Sequence, residues 1–316
     1  MATRTKTNKL VAAVNQKIKA KSKKPKRDLY QETTDRIIAL LEKGVLPWRR
    51  TWSQYGLARN YFTKNIYKGI NAILMNNSEY PIPYFLSMKQ ANKLGGKVKK
   101  GAKADTVLCF KLTFKDETGK IITQEQATAL KAAGQEVQTL RLLRYFNVFN
   151  ISKIEGIDFK IPEVQLKDNE QIAKCENIIE NMPNPPAIET VKADRAFYSP
   201  NLDRVNVPSI QQFENSSEYY CTLFHELTHA TGHPNRLNRK GISELTFFGT
   251  KQYSKEELIA EMGAAFLSAH AGIDYEAITE NSAAYIQGWL KVLKEDKHFI
   301  FGSAAQAQKA VDYILG

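Results

Sequence analysis

An α+β fold in two parts is what this sequence predicts, and three observations carry the prediction. Helix-period apolar patterns and short alternating runs bounded by turn residues are mixed along the chain. Formal charge changes sign near residue 155: residues 1–27 carry +10, residues 28–153 another +10 and residues 154–316 carry −8, within +12 over 316 residues. The acidic part holds two amphipathic helical stretches, and the first contains His225-Glu226-Leu227-Thr228-His229. The length leaves room for two cores. The chain therefore divides into a basic arm over 1–27, a basic unit over 28–155 and an acidic unit over 156–316.

The arm has ten cations and no acid, so like-charge repulsion favours disorder. Leu10, Val11, Val14 and Ile18 keep helical spacing, which predicts folding on a partner. Residues 28–44 read as a helix with Ile37, Ile38, Leu40 and Leu41 inward and Gly44 ending it. Next, aromatics alternate with cations: Trp48, Arg49, Arg50, Trp52, Tyr55, Arg59, Tyr61, Phe62, Lys64, Tyr67 and Lys68. Single-stranded nucleic acid needs that pairing, because cations neutralise phosphates while ring faces stack unpaired bases at about 1–3 kcal/mol each. Duplex DNA hides those faces. Trp48 after Pro47 and Tyr67 before Gly69 also fit places in a small core. Ser87-Met88-Lys89-Gln90 has capping-box spacing for a short helix that ends at Gly95-Gly96. Lys97, Lys99, Lys100 and Lys103 crowd the turn at Gly101, a second place for phosphates. Leu108, Phe110, Leu112 and Phe114 then alternate as a strand, residues 115–140 form a polar excursion, and Arg141 to Phe149 resumes strand character.

In the acidic unit, Ala196-Phe197-Tyr198 and Arg204 to Val207 read as two strands joined by a turn, after a further turn at Asn184-Pro185-Pro186. Asn215 or Ser216 caps the next helix, Leu223, Phe224, Leu227 and Ala230 give its apolar flank, and Gly232 and Pro234 stop it. A helix repeats every 3.6 residues, so His225 and His229 stack on one face with Glu226 beside them, the arrangement that suits one Zn2+. A catalytic zinc takes three protein ligands and leaves a position for water. Glu257 is the expected third ligand, at the start of a helix whose apolar set is Leu258, Met262, Ala265, Phe266 and Ala269. Glu261 shares its face and would accept the N–H of a ligand histidine. Ser254-Lys255-Glu256-Glu257 also matches a capping box, and if Glu257 caps, Glu261 chelates. His233 is no third ligand of the longer histidine motif, whose last position holds Asn235. With metal in place, Glu226 would take a proton from water attacking a polarised carbonyl, which is amide hydrolysis, and Tyr253 is a candidate to steady the oxyanion. Two closing helices follow, with Ala284, Ile286, Trp289, Leu290 and Leu293 and then Ala307, Ala310, Val311 and Ile314 inward.

No stretch approaches the roughly 18 apolar residues that span a bilayer, and the N-terminus lacks the apolar core of a secretory signal. Cys109, Cys175 and Cys221 are odd in number and scattered, which points to a reducing compartment. The expectation is a soluble cytoplasmic protein without a membrane partner.

Read together, the two halves resemble the ArdC family of plasmid-borne antirestriction proteins. In the first half the resemblance rests on Ile37-Ile38, Leu41-Glu42-Lys43-Gly44, Pro47-Trp48, Tyr67-Lys68-Gly69-Ile70-Asn71, Lys89-Gln90-Ala91, Gly95-Gly96 and Tyr145-Phe146-Asn147-Val148-Phe149-Asn150. In the second it rests on His225 to His233, Arg236 and Glu256 to Phe266, and the Glu257 run also resembles the third-ligand helix of gluzincin metallopeptidases. The resemblance implies a single-stranded-DNA-binding domain followed by a zincin-like, gluzincin-type metallopeptidase domain. It further implies a bacterial protein that shields incoming plasmid DNA from restriction, with a protein substrate that could be a restriction component. A coat protein with a vestigial metal domain, or a protease acting on DNA-bound proteins, are the competing functions.

Overall fold

The computed structural model describes residues 27–48, 57–76, 80–161, 168–191, 195–213, 215–244, 250–273 and 282–316. The basic half opens with α1 (Leu29–Leu41), capped by the Asp28 carboxylate, which accepts from the Tyr30 and Gln31 amides at 3.1 Å. Ile37 and Leu41 are buried, and Gly44 adopts φ +73°, a left-handed turn that suits glycine. Then come β1 (Arg59–Asn60), α2 (Ile70–Asn76), β2 (Tyr84–Leu86), α3 (Met88–Lys93), β3 (Lys97–Val98), β4 (Asp105–Lys115), β5 (Ile121–Ile122), α4 (Gln124–Ala132), β6 (Gln138–Asn150) and β7 (Ile154–Glu155). A five-stranded sheet runs β1-β2-β6-β4-β5, and β3 pairs β7 beside it. The Ser87–Gln90 capping box forms as the sequence suggests.

Two features go beyond the sequence reading. The excursion over 115–140 is ordered: β5 pairs the end of β4, and Thr123 and Gln126 cap α4 reciprocally. The alternating set of β4 is not a core row, because Leu108 is buried while Phe110 and Leu112 stand exposed. The long β4–β6 ribbon extends past the core that covers its base.

The acidic half consists of α5 (Asp168–Glu180), β8 (Ala187–Val191), β9 (Phe197–Ser199), β10 (Arg204–Pro208), α6 (Ser216–Ala230), α7 (Lys240–Ser243), α8 (Lys251–Ala271), α9 (Ser282–Glu295) and α10 (Phe299–Leu315). Strands β9 and β10 form the expected antiparallel pair, with β8 parallel on the far side of β10. The two histidines' helix α6 lies against this small sheet and against α8. One continuous core joins the halves: Ile37, Leu41, Ile73 and Phe85 belong to the same buried cluster as Phe224, Leu227, Met262 and Val311. At the joint the Trp48 and Trp289 rings meet edge-on, 5.4 Å between centroids, a geometry worth about 0.5–1.5 kcal/mol beyond burial. The Thr34 hydroxyl donates to the Lys297 carbonyl at 2.8 Å, and the Gly69 amide donates to Gln308 Oε1 at 3.0 Å. Among the described residues no helix is long and apolar enough to cross a membrane.

Candidate metal centre

Helix α6 starts at Asn215, whose side chain accepts from the Glu218 amide at 2.9 Å, and ends at Ala230. Leu223, Phe224, Leu227 and Ala230 are buried on it as predicted. This anchors the opposite flank, so His225 and His229 face α8 with Nε2 atoms 3.1 Å apart. The two helices meet closely because position 263 is glycine: a Cβ there would lie 2.5 Å from Thr228 Cγ2. That approach brings Glu257 within 3.6 Å of both Nε2 atoms, through Oε2 to His225 and Oε1 to His229. One ligating atom from each of the three residues fits within a 4.8 Å span.

The capping alternative for Glu257 is corrected by the start of α8. Thr250 is the cap, accepting from the Tyr253 amide at 3.2 Å, and the helix begins at Lys251, so Glu257 lies two turns inside it. Glu261 sits near the other nitrogen of His225, with Oε1 3.9 Å from Nδ1. His229 has a counterpart that sequence reasoning missed: Glu256 Oε1 lies 3.6 Å from its Nδ1. Both distances exceed a hydrogen bond, and both Nδ1 atoms are buried without a partner.

Glu256 is fixed by a residue equally absent from the sequence reading. Arg239, buried just beyond α6, donates through Nη2 to Glu256 Oε1 at 2.5 Å and through Nε to both carboxylate oxygens at 3.1 and 3.2 Å. Its remaining donors reach Thr231 Oγ1 at 2.5 Å and the Thr228 carbonyl at 2.7 Å. The backbone presses close here, since a Cβ on Gly241 would lie 2.8 Å from Glu256 Oε2. No short-range spacing announces this pair, because Arg239 and Glu256 are joined only when α7 folds back over α8.

Charge at the centre is unbalanced. Glu226, Glu256, Glu257 and Glu261 are all under 10 % exposed, and Arg239 is the buried cation among them. Burial works against charging His225, but the nearby carboxylates of Glu257, Glu226 and Glu261 outweigh it and raise its pKa. Burial likewise opposes the charge on Glu257, yet both imidazoles hold its pKa below the usual carboxylate range. Such a site favours an added cation, and two imidazole nitrogens with one carboxylate are the donor set that suits a tetrahedral divalent ion. Tyr253 and Tyr285 stand near Glu257 with hydroxyls 3.4 Å apart, and burial raises both pKa values, which keeps them as donors. Tyr285 stacks on Trp289 at 5.8 Å. Beyond α6, Arg236 ties the β9–β10 hairpin to the helix end, donating to the Ala230 carbonyl at 2.7 Å, to Asp203 Oδ2 at 3.1 Å and to the Tyr198 hydroxyl at 3.1 Å. His233 is half-buried and its Nδ1 accepts from the Asn235 amide at 3.2 Å, pointing its ring at its own turn.

The basic half redistributes the nucleic-acid candidates. Arg49, Arg50 and Trp52 lie outside the described residues. Trp48 is corrected to a core residue: its indole is 2 % exposed against Trp289, leaving no face for a base. Tyr67 is corrected likewise, since it packs edge-on to Phe85 at 6.0 Å with a buried hydroxyl and a pKa pushed up by burial to about 12. Lys68 pairs with Asp312 at 2.8 Å across to α10, and the Lys99 amine donates to the Ser152 carbonyl at 2.9 Å. Arg59 lies over the Tyr84 ring at 5.5 Å and Lys64 over Tyr61 at 3.9 Å, both at the surface around β1, while Lys97 and Lys100 are exposed on and beside β3.

Comparison with known proteins follows this division. Residues 27–149 match the family described as the N-terminal domain of anti-restriction factor ArdC, and residues 174–306 match the family described as zincin-like metallopeptidase. The crystal structure of the antirestriction ArdC protein from plasmid R388, metal-free, superposes with a TM-score of 0.70 at 32 % identity over 91 % of this chain and 97 % of that one. The chain belongs to the ArdC antirestriction family. The Mn(II)-bound structure of the R388 protein matches equally, at 33 % identity and a TM-score of 0.70. Two Escherichia coli proteins named DNA primase TraC are each 33 % identical over 92 % of this chain, which spans only 27 % and 20 % of their lengths. The y4eC protein of Sinorhizobium fredii is 28 % identical over 91 % of both chains.

Proposed function

We propose that this ArdC-family chain binds single-stranded DNA through its basic half and hydrolyses a protein amide bond at a divalent-metal centre, zinc by preference. The role is protecting incoming plasmid DNA from restriction in a bacterial cytoplasm. The observation that carries the reading is the convergence of His225, His229 and Glu257 with Glu226 on the same helix. The Mn(II)-bound R388 relative supports a divalent ion, and the donor set favours zinc.

In this mechanism His225, His229 and Glu257 would hold the ion, with Glu261 and the Arg239-fixed Glu256 placed behind the two imidazoles to receive their Nδ1 protons. The bound ion supplies a Lewis acid that acidifies water and polarises a carbonyl. Glu226 accepts the proton of the attacking water and returns it to the departing amine. The Tyr253 and Tyr285 hydroxyls stand beside Glu257 as donors for developing negative charge. In the basic half, Arg59, Tyr61, Lys64, Lys97 and Lys100 remain the candidates for phosphate and base contacts.

Glu226→Gln tests the reading. The variant should load zinc and bind single strands as the parent does, yet fail to protect incoming DNA in a restricting recipient. Full protection by Glu226→Gln removes the peptidase from the function and leaves a DNA-coating protein. Separately, affinity for a single-stranded oligonucleotide should exceed that for duplex and fall by about 0.7 logarithmic units per phosphate contact for each tenfold rise in salt. Equal affinity for both forms contradicts the stacking part.

A further inference from the structure

The β4–β6 ribbon carries exposed apolar side chains that neither the core nor the metal centre explains. Its strands pair in register from Asp105↔Val148 to Lys115↔Gln138. Directly opposed residues share a face. The face of Leu108 and Leu143 meets the core at Leu108 and carries α4 at its tip, where Lys131 lies over Phe114, with Phe110, Leu112 and Tyr145 exposed between. The other face carries Phe146, Arg144, Leu142 and Leu140 in a row on β6, with Lys111 of β4 opposite Leu142. Phe146, Leu142 and Leu140 are 53 %, 46 % and 40 % exposed, and Arg144 and Lys111 are exposed between them. Asp105 is the one acid on the two strands, and it sits at the base near Lys153.

We propose that this open face is a docking surface for single-stranded nucleic acid. The proposal rests on the DNA-binding reading above and adds a contact on the paired sheet to the candidates around β1 and β3. Same-face residues recur about 6.7 Å apart along a strand, so the row from Phe146 to Leu140 spans about 20 Å, enough for a short run of extended nucleotides. The Phe146 ring offers a stacking face, Leu142 and Leu140 offer apolar floor for further bases, and Arg144 and Lys111 lie close enough to meet the phosphates between them. Paired strands keep their base faces stacked, so duplex gains only the two cations. A second copy of the chain fits this face poorly, because a two-fold contact would set Arg144 and Lys111 against a surface with the same charges, whose one acid, Asp105, already faces Lys153.

The test is fluorescence anisotropy of a labelled oligo-dT with the full chain, Phe146→Ala and Lys111→Ala/Arg144→Ala, over a salt series. These side chains are exposed, so unchanged melting temperatures confirm folding. Phe146→Ala should weaken binding roughly 5- to 150-fold, the range of one lost stack. The double variant should flatten the salt slope by about 1.4, two contacts at 0.7 each. Parental affinity and slope in both variants overturn the ribbon as the docking surface while leaving the DNA-binding reading intact. A parent chain that binds no oligo-dT defeats that reading itself. Unchanged oligo-dT binding with a shift from dimer to monomer on size exclusion assigns the face to a second copy and likewise overturns the proposal.

Discussion

Arg239→Ala is the perturbation whose size follows most directly from the structure. The guanidinium holds Glu256 from two directions and also binds Thr231 Oγ1 and the Thr228 carbonyl, all of it buried. Removing it strands a carboxylate in the core and takes a donor from Thr231 Oγ1, while the Thr228 carbonyl keeps the Thr231 hydroxyl. Breaking a buried pair from one side costs about 3–5 kcal/mol. At about 2–4 °C per kcal/mol for domains of 150–250 residues, melting should fall by roughly 6–20 °C, toward the low end in a chain of this length. Truncating both partners, Arg239→Met with Glu256→Met, should recover most of that loss, because no unpaired charge remains. Glu256→Gln on its own should weaken metal binding about 10–100-fold, the usual effect of losing the carboxylate behind a ligand histidine. Differential scanning calorimetry of the metal-free chains measures the first two expectations, and competition with a chromophoric zinc chelator measures the third. A double variant as unstable as Arg239→Ala would refute the buried-charge reasoning. Parental zinc affinity in Glu256→Gln would refute the link from Arg239 to His229.

Two smaller expectations concern residues that sequence alone assigned differently or left idle. Trp48→Ala should destabilise by about 3–5 kcal/mol, the cost of a large-to-small core change, while the salt slope of DNA binding stays parental, and a changed slope with parental melting would restore Trp48 to the nucleic-acid surface. Iodoacetamide should label Cys109 in the native protein and spare Cys175 and Cys221, since both are buried and burial pushes the Cys175 thiol up to about 12; rapid native labelling of Cys175, read by peptide mass, contradicts that packing.

The parts of the site that were legible in the sequence are those set by a local period. His225 and His229 one turn apart, Glu226 beside them and the apolar flank of α6 need only 3.6 residues per turn to fall into place. The Ser87–Gln90 box and the β9–β10 turn are equally local, and each appears in the structure. Where the reading failed, the deciding contact was long-range. Trp48 reads as either a stacking or a core residue because cations and Pro47 surround it in sequence, and what decides is Trp289, supplied by the last third of the chain. The start of α8 was misplaced by one capping signal overriding another: Ser254 imitates a cap, but Thr250 forms one, and the displacement carries Glu256 from the helix entrance into the core.

That displacement also explains why two successive turns of α8 carry three glutamates with different duties. A helix advances 100° per residue, so Glu256 and Glu257 diverge around the axis while Glu257 and Glu261 stay aligned. Only Glu257 can then face both Nε2 atoms; Glu256 is turned toward Arg239 and the back of His229, and Glu261 toward the back of His225. The arrangement works only if α6 and α8 approach at van der Waals distance, which Gly263 permits against Thr228. Even an alanine there would press on Thr228 and move all three carboxylates away from both imidazoles together, because they ride on one rigid helix. The metal-binding geometry is thus a property of a helix crossing, and the small residue at the crossing governs it as surely as the charged ones do.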